Sequence, residues 1–242
     1  MTEPAAKDAA AAEKQAAAVA AVGLVEDGMA VGLGTGSTAA LAIAELGRRV
    51  QAGLSIRAIP TSERSAAQAR ALGIRLIDFA QQSRLDLTID GADQIARGSL
   101  HLIKGLGGAL LREKIVAAAS DRLVIVADQS KLVDQLGGPV PVPVEVVSFG
   151  WQTTAARIVR LGGLPVLRLG PGGGPFYSDG GNLILDCDFG LIADPVALET
   201  ALSATIGVVE TGLFLGMARL ALVAGPAGLT RLTPAGAPPT AR

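Results

Sequence analysis

The 242-residue chain is poor in cysteine, histidine and aromatic residues. Its single cysteine, Cys187, excludes an intramolecular disulfide, and a reducing, cytoplasmic location is therefore expected. Its single histidine, His101, leaves too few ligands for a zinc site of the Cys/His type. If the chain is an enzyme, its acids and bases are expected to be Asp, Glu and Lys.

The chain also lacks an excess of charge and a long apolar run. Its 21 basic and 22 acidic side chains give a net charge of −1, which provides no long-range attraction to nucleic acid or to an anionic membrane. Aromatic residues account for 3% of the sequence, too few for a surface on which single-stranded bases stack. The longest uncharged stretch, residues 28–44, is too short and too polar to span a bilayer. We therefore expect neither a nucleic-acid nor a membrane partner.

The order of the predicted elements indicates two domains. Strand and helix patterns alternate through the first half, which predicts a mostly parallel sheet covered by helices on both faces. From about Pro141 the predicted order is β-α-β-β-α-β, which is typical of a ferredoxin-like unit, and short strands in residues 213–232 are expected to return to the first domain. The predicted fold is α/β, with a Rossmann-like, mostly parallel sheet domain (residues 1–136 and 212–242) and a smaller ferredoxin-like α+β domain (residues 137–211).

A glycine-rich segment between a predicted strand and a predicted helix is a candidate phosphate site. In the segment Val31-Gly-Leu-Gly-Thr-Gly-Ser-Thr38, glycines allow backbone N–H groups to face an anion, and the helix N-terminus adds a partial positive charge. Thr35, Ser37 and Thr38 add hydroxyl groups, and one of the last two is expected near the N-cap. The alternative is a tight turn with a hydroxyl cap. The segment is a poor dinucleotide fingerprint, because Ser37 stands where the third glycine belongs.

Two carboxylates, Asp90 and Asp93, follow an apolar predicted strand. They flank a Gly91-Ala92 turn at the end of the strand where ligands of open α/β sheets bind. Neighbouring carboxylates can hold protons with different affinities, so we interpret the pair as catalytic or as binding substrate hydroxyls. An Asx-turn and a Mg²⁺ site are the alternatives.

Three further charged residues lie beside predicted strand or helix ends. Lys104 precedes a second glycine-rich loop, from which it can stabilise an oxyanion. Glu113 falls early in the following helix, where it is either a general base or only a solvated partner of the helix dipole. Lys131, after the strand that ends at Asp128, is either a phosphate ligand or a surface lysine.

Taken together, these segments resemble ribose-5-phosphate isomerase, type A. Each match alone is modest, but the ordered set is specific and extends over nearly the whole chain. The matching segments are Gly34–Thr38, Asp90–Asp93, Lys104 with its glycines, Arg112–Lys114, Ala127–Lys131, Pro141–Val146, Leu161–Gly163, Asp179–Asn182, Gly207–Val209 and Gly212–Phe214.

The resemblance implies a cofactor-free and metal-free isomerisation of D-ribose 5-phosphate and D-ribulose 5-phosphate through a cis-enediolate, in the non-oxidative branch of the pentose phosphate pathway. Glu113 is then the base, Asp90 and Asp93 handle the sugar hydroxyls and ring opening, and Lys104 supports the enediolate. The expected partner is a small sugar phosphate, and the expected assembly is a homodimer. The implied substrate-binding residues are Lys14, Thr35, Gly36, Ser37, Thr38, Asp90, Gly91, Ala92, Asp93, Lys104, Gly105, Leu106, Gly107 and Lys131, of which Lys14, Ser37, Thr38 and Lys131 hold the phosphate.

Two positions near the site depart from the family pattern. Gln94 stands where the family often has Glu, and little effect is expected, because neither main role falls on that residue. Leu106 interrupts the glycine run after Lys104, which could narrow the site or shift a backbone donor.

Two kinds of alternative function stay open at this point. One is a different enzyme of similar architecture, such as another phosphosugar isomerase or a CoA transferase. The other is a non-catalytic sugar-phosphate-sensing domain of a transcription regulator. The second requires a DNA-binding segment, for which the chain has neither a basic patch nor spare length.

Overall fold

The computed structural model of the protein describes residues 3–236, with side chains from residue 10 onwards. Within these residues, no helix has the length and apolar character that a membrane span requires. The helices are α1 (Glu3–Val22), α2 (Ser37–Gln51), α3 (Glu63–Ala71), α4 (Leu110–Ala118), α5 (Trp151–Arg160) and α6 (Pro195–Ser203). The strands are β1 (Ala30–Leu33), β2 (Arg57–Pro60), β3 (Arg75–Leu76), β4 (Leu87–Asp90), β5 (Gln94–Ala96), β6 (Leu102–Ile103), β7 (Leu123–Asp128), β8 (Leu132–Val133), β9 (Val142–Val146), β10 (Leu164–Leu167), β11 (Leu183–Asp188), β12 (Val208–Thr211), β13 (Leu213–Phe214), β14 (Ala218–Gly225) and β15 (Gly228–Leu232).

A seven-stranded sheet in the order β15-β14-β7-β4-β1-β2-β3 forms the larger part of the molecule. Neighbouring strands are parallel except β15, which pairs antiparallel with β14. The central strands β1, β4 and β7 are buried along their whole length, as their continuous apolar sequences require. The predicted Rossmann-like sheet is confirmed. Residues 218–232 return to it as expected, although β14 is eight residues long rather than short.

A four-stranded antiparallel sheet in the order β10-β11-β9-β12 forms the smaller part. With α5 and α6 it gives the predicted β-α-β-β-α-β sequence of elements, so the ferredoxin-like unit is confirmed. The boundaries that we predict for the two domains, after residues 136 and 211, remain a proposal. Residues 1–2 and 237–242 of the predicted larger domain lie outside the described residues.

A third, small sheet in the order β13-β6-β5-β8 is absent from our sequence prediction. Its strands have two or three residues each, too few to show an alternating pattern. The sheet matters because β5 begins directly after Asp93 and β6 ends directly before Lys104. The pairing of β5 with β6, together with the hydrogen bond from Asp93 N to Ile103 O at 2.9 Å, sets these two candidate residues side by side.

Candidate active site

The carboxyl ends of β1, β4 and β7 meet at one edge of the large sheet. β1 leads into the first glycine-rich loop, β4 ends at Asp90, and β7 ends at Asp128, which starts the short 3-10 turn that carries Lys131. Parallel strands present their carboxyl ends at the same edge, and ligands of open α/β sheets bind there. Three segments that are far apart in sequence are thereby brought to one place.

One cavity at this edge, with a volume of about 110 Å³, is lined by nearly all of the predicted site residues. Two of them are not in its lining. Asp90 lies directly behind the wall, in contact with Lys104, and the side chain of Leu106 points outward, 44% exposed. The lining residues are Lys14, Thr35, Gly36, Ser37, Thr38, Gly91, Ala92, Asp93, Lys104, Gly105, Gly107, Glu113, Ala127 and Lys131.

The ammonium group of Lys104 is the centre of the cavity's polar end. Its Nζ atom donates to Gly91 O at 2.7 Å and lies 3.0 Å from Asp90 Oδ2 and 3.4 Å from Glu113 Oε2. Lys104, Asp90 and Glu113 are 1–3% exposed. A buried charge of this kind is tolerated because opposite charges surround it. Lys104 therefore provides the cation beside Asp90, the role that a Mg²⁺ ion would have had in the alternative interpretation.

Asp90 is fixed by the backbone of two glycine-containing turns. Its Oδ1 atom accepts from Thr35 N at 3.1 Å and from Gly91 N at 2.7 Å. Gly34 passes so close that a Cβ atom there would lie 2.2 Å from Asp90 Oδ1, so no other residue fits at this position. The first glycine-rich loop, the Gly91-Ala92 turn and the carboxylate are thus packed as one unit, and Asp90 in turn orients Lys104.

Glu113 lies in the first turn of α4. Among the described residues, no donor forms a hydrogen bond with its Oε2 atom. Burial, reinforced by the charge of Asp90, raises the pKa of Glu113 to about 8. Burial also raises the pKa of Asp90, and both carboxylates raise the pKa of Lys104 even though burial opposes its charge. Glu113 therefore gains or loses its proton about one pH unit above neutral pH. This is the property that a general base requires.

Asp93 completes the polar end of the cavity. Its Oδ2 atom accepts from Leu106 N at 3.0 Å, so the loop after Lys104 holds this carboxylate in place. Leu106, which departs from the glycine run of the family pattern, leaves this backbone donor available, because the leucine side chain lies outside the cavity.

Two lysines, Lys14 and Lys131, line the opposite end of the cavity, and Lys14 Nζ lies 3.9 Å from Asp128 Oδ2. Gly36, at a φ of +117°, is the N-cap of α2, so the cap falls one residue before the hydroxyl residues that we expected near it. No side chain caps this helix, and its first N–H groups are available to an anion. Lys14 Nζ, on α1, lies 3.4 Å from Ser37 Oγ, and Lys131 reaches the same cavity from the turn after β7.

Thr35 has a different role from Ser37 and Thr38. Its hydroxyl group bonds to Thr61 Oγ1 at 2.7 Å and to Ser62 Oγ at 2.8 Å, in a buried cluster at the start of α3. The hydroxyl group therefore joins the loop to the neighbouring strand end, and Thr35 contributes to the cavity through its other atoms. The sequence offered no signal for this difference, because the partners lie 26 and 27 residues away.

The chain resembles known proteins in both sequence and structure. Residues 57–228 match the family model described as ribose 5-phosphate isomerase A (phosphoriboisomerase A). The chain belongs to the ribose 5-phosphate isomerase A family. A relative named ribose-5-phosphate isomerase A from Gloeobacter violaceus is 60% identical over 225 residues, which cover 93% of this chain and 97% of the relative.

Solved structures of ribose 5-phosphate isomerases share the whole fold. The enzyme from Methanocaldococcus jannaschii superposes with a TM-score of 0.88 at 40% identity, covering 92% of this chain and 98% of that one. A D-ribose-5-phosphate isomerase in complex with phospho-erythronic acid has a TM-score of 0.89 at 35% identity, with the same coverage. The isomerase fold therefore extends through both parts of this chain.

Several residues that support this isomerase site were not singled out from the sequence. The ring centroid of the buried Phe214 lies 5.4 Å from Lys104 Nζ and 5.0 Å from Lys114 Nζ, so one aromatic ring contacts two ammonium groups. Arg168, from the smaller part, donates to Gly105 O at 2.8 Å and to Leu106 O at 3.2 Å. These contacts join segments more than 60 residues apart, which no local pattern reveals.

Gln94, the other departure from the family pattern, is a structural residue. Its side-chain amide donates to Gly137 O and accepts from Gly137 N, both at 2.8 Å, and it is 3% exposed. An amide supplies the donor and the acceptor that this pair of bonds needs. Our expectation that this residue has little effect on the chemistry stays a prediction.

Proposed function

We propose that the protein interconverts D-ribose 5-phosphate and D-ribulose 5-phosphate. The proposal rests on a cavity whose two ends differ in the charged groups that line them. One end holds a buried carboxyl group, Glu113, beside a buried ammonium group, Lys104, and the other holds two lysines at a helix N-terminus. An aldose phosphate needs a base and an oxyanion partner at its carbonyl carbons and an anion site at its phosphate.

The proposed chemistry moves one proton between two neighbouring carbons. Ionised Glu113 removes the proton from C2 of the open-chain sugar, and the electrons of the C–H bond form the C1–C2 double bond of a cis-enediolate. The same carboxyl group then returns a proton to C1 while the proton of the C2 hydroxyl group moves to the C1 oxygen, so that C2 becomes the carbonyl carbon. A single base is sufficient, because it reaches both carbons from the same face of the planar intermediate.

Lys104 is the group that stabilises the intermediate. Its ammonium group is held by Asp90 and Gly91 O, and it meets the negative oxygen of the enediolate without having to reorient. Asp90 and Asp93 are proposed to bind the sugar hydroxyls and to move the hydroxyl proton during ring opening. Because Lys104 is buried, its charge acts in a medium that screens it weakly.

The phosphate end is proposed to anchor the substrate. The hydroxyl groups of Ser37 and Thr38, the first N–H groups of α2, and the ammonium groups of Lys14 and Lys131 surround a position for a dianion. Binding energy from this remote group holds C1 and C2 against Glu113, which contributes to the rate. The phospho-erythronic acid bound by a solved relative carries a phosphate and a carboxylate, the two charges that these unlike ends would accept.

The proposal predicts activity without metal ions. We expect purified protein to convert ribose 5-phosphate to ketose at an undiminished rate after dialysis against EDTA, because Lys104 supplies the positive charge at the reacting end. The measurement is ketose formation before and after chelation. If activity disappears and Mg²⁺ restores it, Asp90 and Asp93 bind a metal ion instead.

The raised pKa of Glu113 predicts the pH dependence. The base must be ionised, and a pKa raised to about 8 keeps it protonated at lower pH, so kcat/KM should fall by about tenfold per pH unit below that range. The check is kcat/KM between pH 5.5 and 9.5. A midpoint near 8 is distinct from ionisation of the substrate phosphate, whose second pKa is about 6. A flat profile from pH 6.5 to 9 would contradict the assignment.

A homodimeric assembly and a cytoplasmic location belong to the same proposal. The homodimer rests on the resemblance of the sequence to its family, and the cytoplasmic location rests on the single cysteine, Cys187.

A further inference from the structure

Three arginines line a second cavity, at the opposite edge of the large sheet from the site described above. Arg122 directly precedes β7, Arg219 is the second residue of β14, and Arg231 lies near the end of the antiparallel strand β15. β7 and β14 both begin at this edge, and β7 ends at the candidate active site. The cavity has a volume of about 120 Å³.

Among the side chains that the structure describes, these arginines have no acidic partner. Within the part of the chain whose side chains are described, no carboxylate oxygen lies within 4.0 Å of the guanidinium nitrogens of Arg122, Arg219 or Arg231, whereas Arg112 and Arg168 each pair with an aspartate. Three positive charges around one cavity repel each other, and in a chain of net charge −1 nothing requires them to gather there. A bound anion would offset that repulsion.

A bulge in the backbone positions one of the three arginines, Arg219. The register between β14 and β7 shifts between Ala218 and Leu220, which leaves Arg219 as the extra residue of a bulge. Bulges redirect the side chain of the extra residue, and they occur frequently beside binding sites. The bulge therefore provides an observation that is independent of the charge cluster.

The remaining lining of the cavity indicates the kind of anion. Leu24, Val124 and Leu220 form an apolar wall, and Thr233 adds a hydroxyl group. One guanidinium group can donate two parallel hydrogen bonds to a phosphate group. Several guanidinium groups together suit a ligand group with more than one negative charge. We propose that this cavity, the triple-arginine pocket, binds the diphosphate group of a small metabolite, whose organic part contacts the apolar wall.

The test is a calorimetric titration with pyrophosphate and with ADP. We expect one binding site per chain that is weakened at least about tenfold in the Arg219→Ala/Arg231→Ala variant. A matched control is Arg157→Ala/Arg160→Ala, which removes two exposed charges from α5 and should leave binding unchanged. Activity on ribose 5-phosphate should be retained in both double variants, which shows that they fold.

The active site also accepts anions, so the comparison between variants shows which of the two cavities binds the probe. Binding that is equally strong in wild type and in Arg219→Ala/Arg231→Ala belongs elsewhere and overturns the proposal, as does equal weakening in the control variant. Absence of binding to wild type overturns it too. Tighter binding of ADP than of pyrophosphate supports a role for the apolar wall, and equal affinity supports recognition of the diphosphate alone. The result is independent of whether the protein isomerises ribose 5-phosphate.

Discussion

Replacing Glu113 with glutamine is expected to lower kcat for ribose 5-phosphate by at least about a hundredfold and to leave KM nearly unchanged. The amide has the size of the carboxyl group but cannot accept a proton from carbon. Lys104 keeps Asp90 as its partner at 3.0 Å, so the cavity retains its shape and its oxyanion site. The measurement is steady-state kinetics with ribose 5-phosphate, with Glu199→Gln on α6, in the smaller part, as the matched control. Near-normal turnover would mean that Asp90 or Asp93, and not Glu113, is the general base.

The stability of the same variant checks the electrostatic argument. Because the pKa of Glu113 is raised from 4.5 to about 8, the folded protein binds more protons than the unfolded chain between these values, and its free energy of unfolding decreases as pH rises through that range. Because glutamine does not ionise, the Glu113→Gln variant does not undergo this decrease in the free energy of unfolding. At pH 9 the Glu113→Gln variant should therefore melt at the same temperature as wild type or higher. A lower melting temperature would show that the carboxylate stabilises the fold.

Replacing Lys131 with alanine is expected to lower kcat/KM for ribose 5-phosphate by about 10- to 100-fold, because a charge-assisted contact contributes roughly 1.5–3 kcal/mol. Lys131 reaches the cavity from the 3-10 turn, which Asp128 begins by accepting from Ser130 N at 3.0 Å. The side chain takes part in no salt bridge with the described residues, so its loss leaves no buried carboxylate unpaired. The effect should therefore be confined to binding of the phosphate.

Ribose without a phosphate group is the internal control for this variant. It never uses the anion site, so its slow conversion should be changed little by Lys131→Ala. Inorganic phosphate should compete with ribose 5-phosphate in wild type and more weakly in the variant. Equal losses on the two sugars would mean that Lys131 supports the fold or the chemistry in general, and the phosphate site would then be misassigned.

The sequence predicted the parts of the site that depend on strand ends. Asp90 and Lys131 follow strands whose apolar sequences were readable, and the parallel order of those strands placed them at one edge. The same reasoning predicted the ferredoxin-like order of residues 141–211. Local patterns are sufficient here, because each of these segments carries its own strand or helix signal.

The features that the sequence did not predict depend on contacts between distant segments. The strands of the third sheet have no periodic pattern, yet they bring Asp93 beside Lys104. The buried environment that raises the pKa of Glu113 is created by Asp90, 23 residues away, and by packing of the whole cavity. The resemblance to a family assigned roles to these residues, but only the assembled structure gives the physical reason for them.

The most direct test of the account is exchange of carbon-bound hydrogen with solvent during isomerisation in ²H₂O, followed by ¹H NMR over many turnovers at equilibrium. The account predicts that wild type introduces deuterium at C1 of ribulose 5-phosphate and at C2 of ribose 5-phosphate, because a proton held on Glu113 mixes with solvent. The Glu113→Gln variant should introduce it at least about a hundredfold more slowly. Isomerisation that leaves both carbons unlabelled, or exchange that is undiminished in Glu113→Gln, would contradict the account.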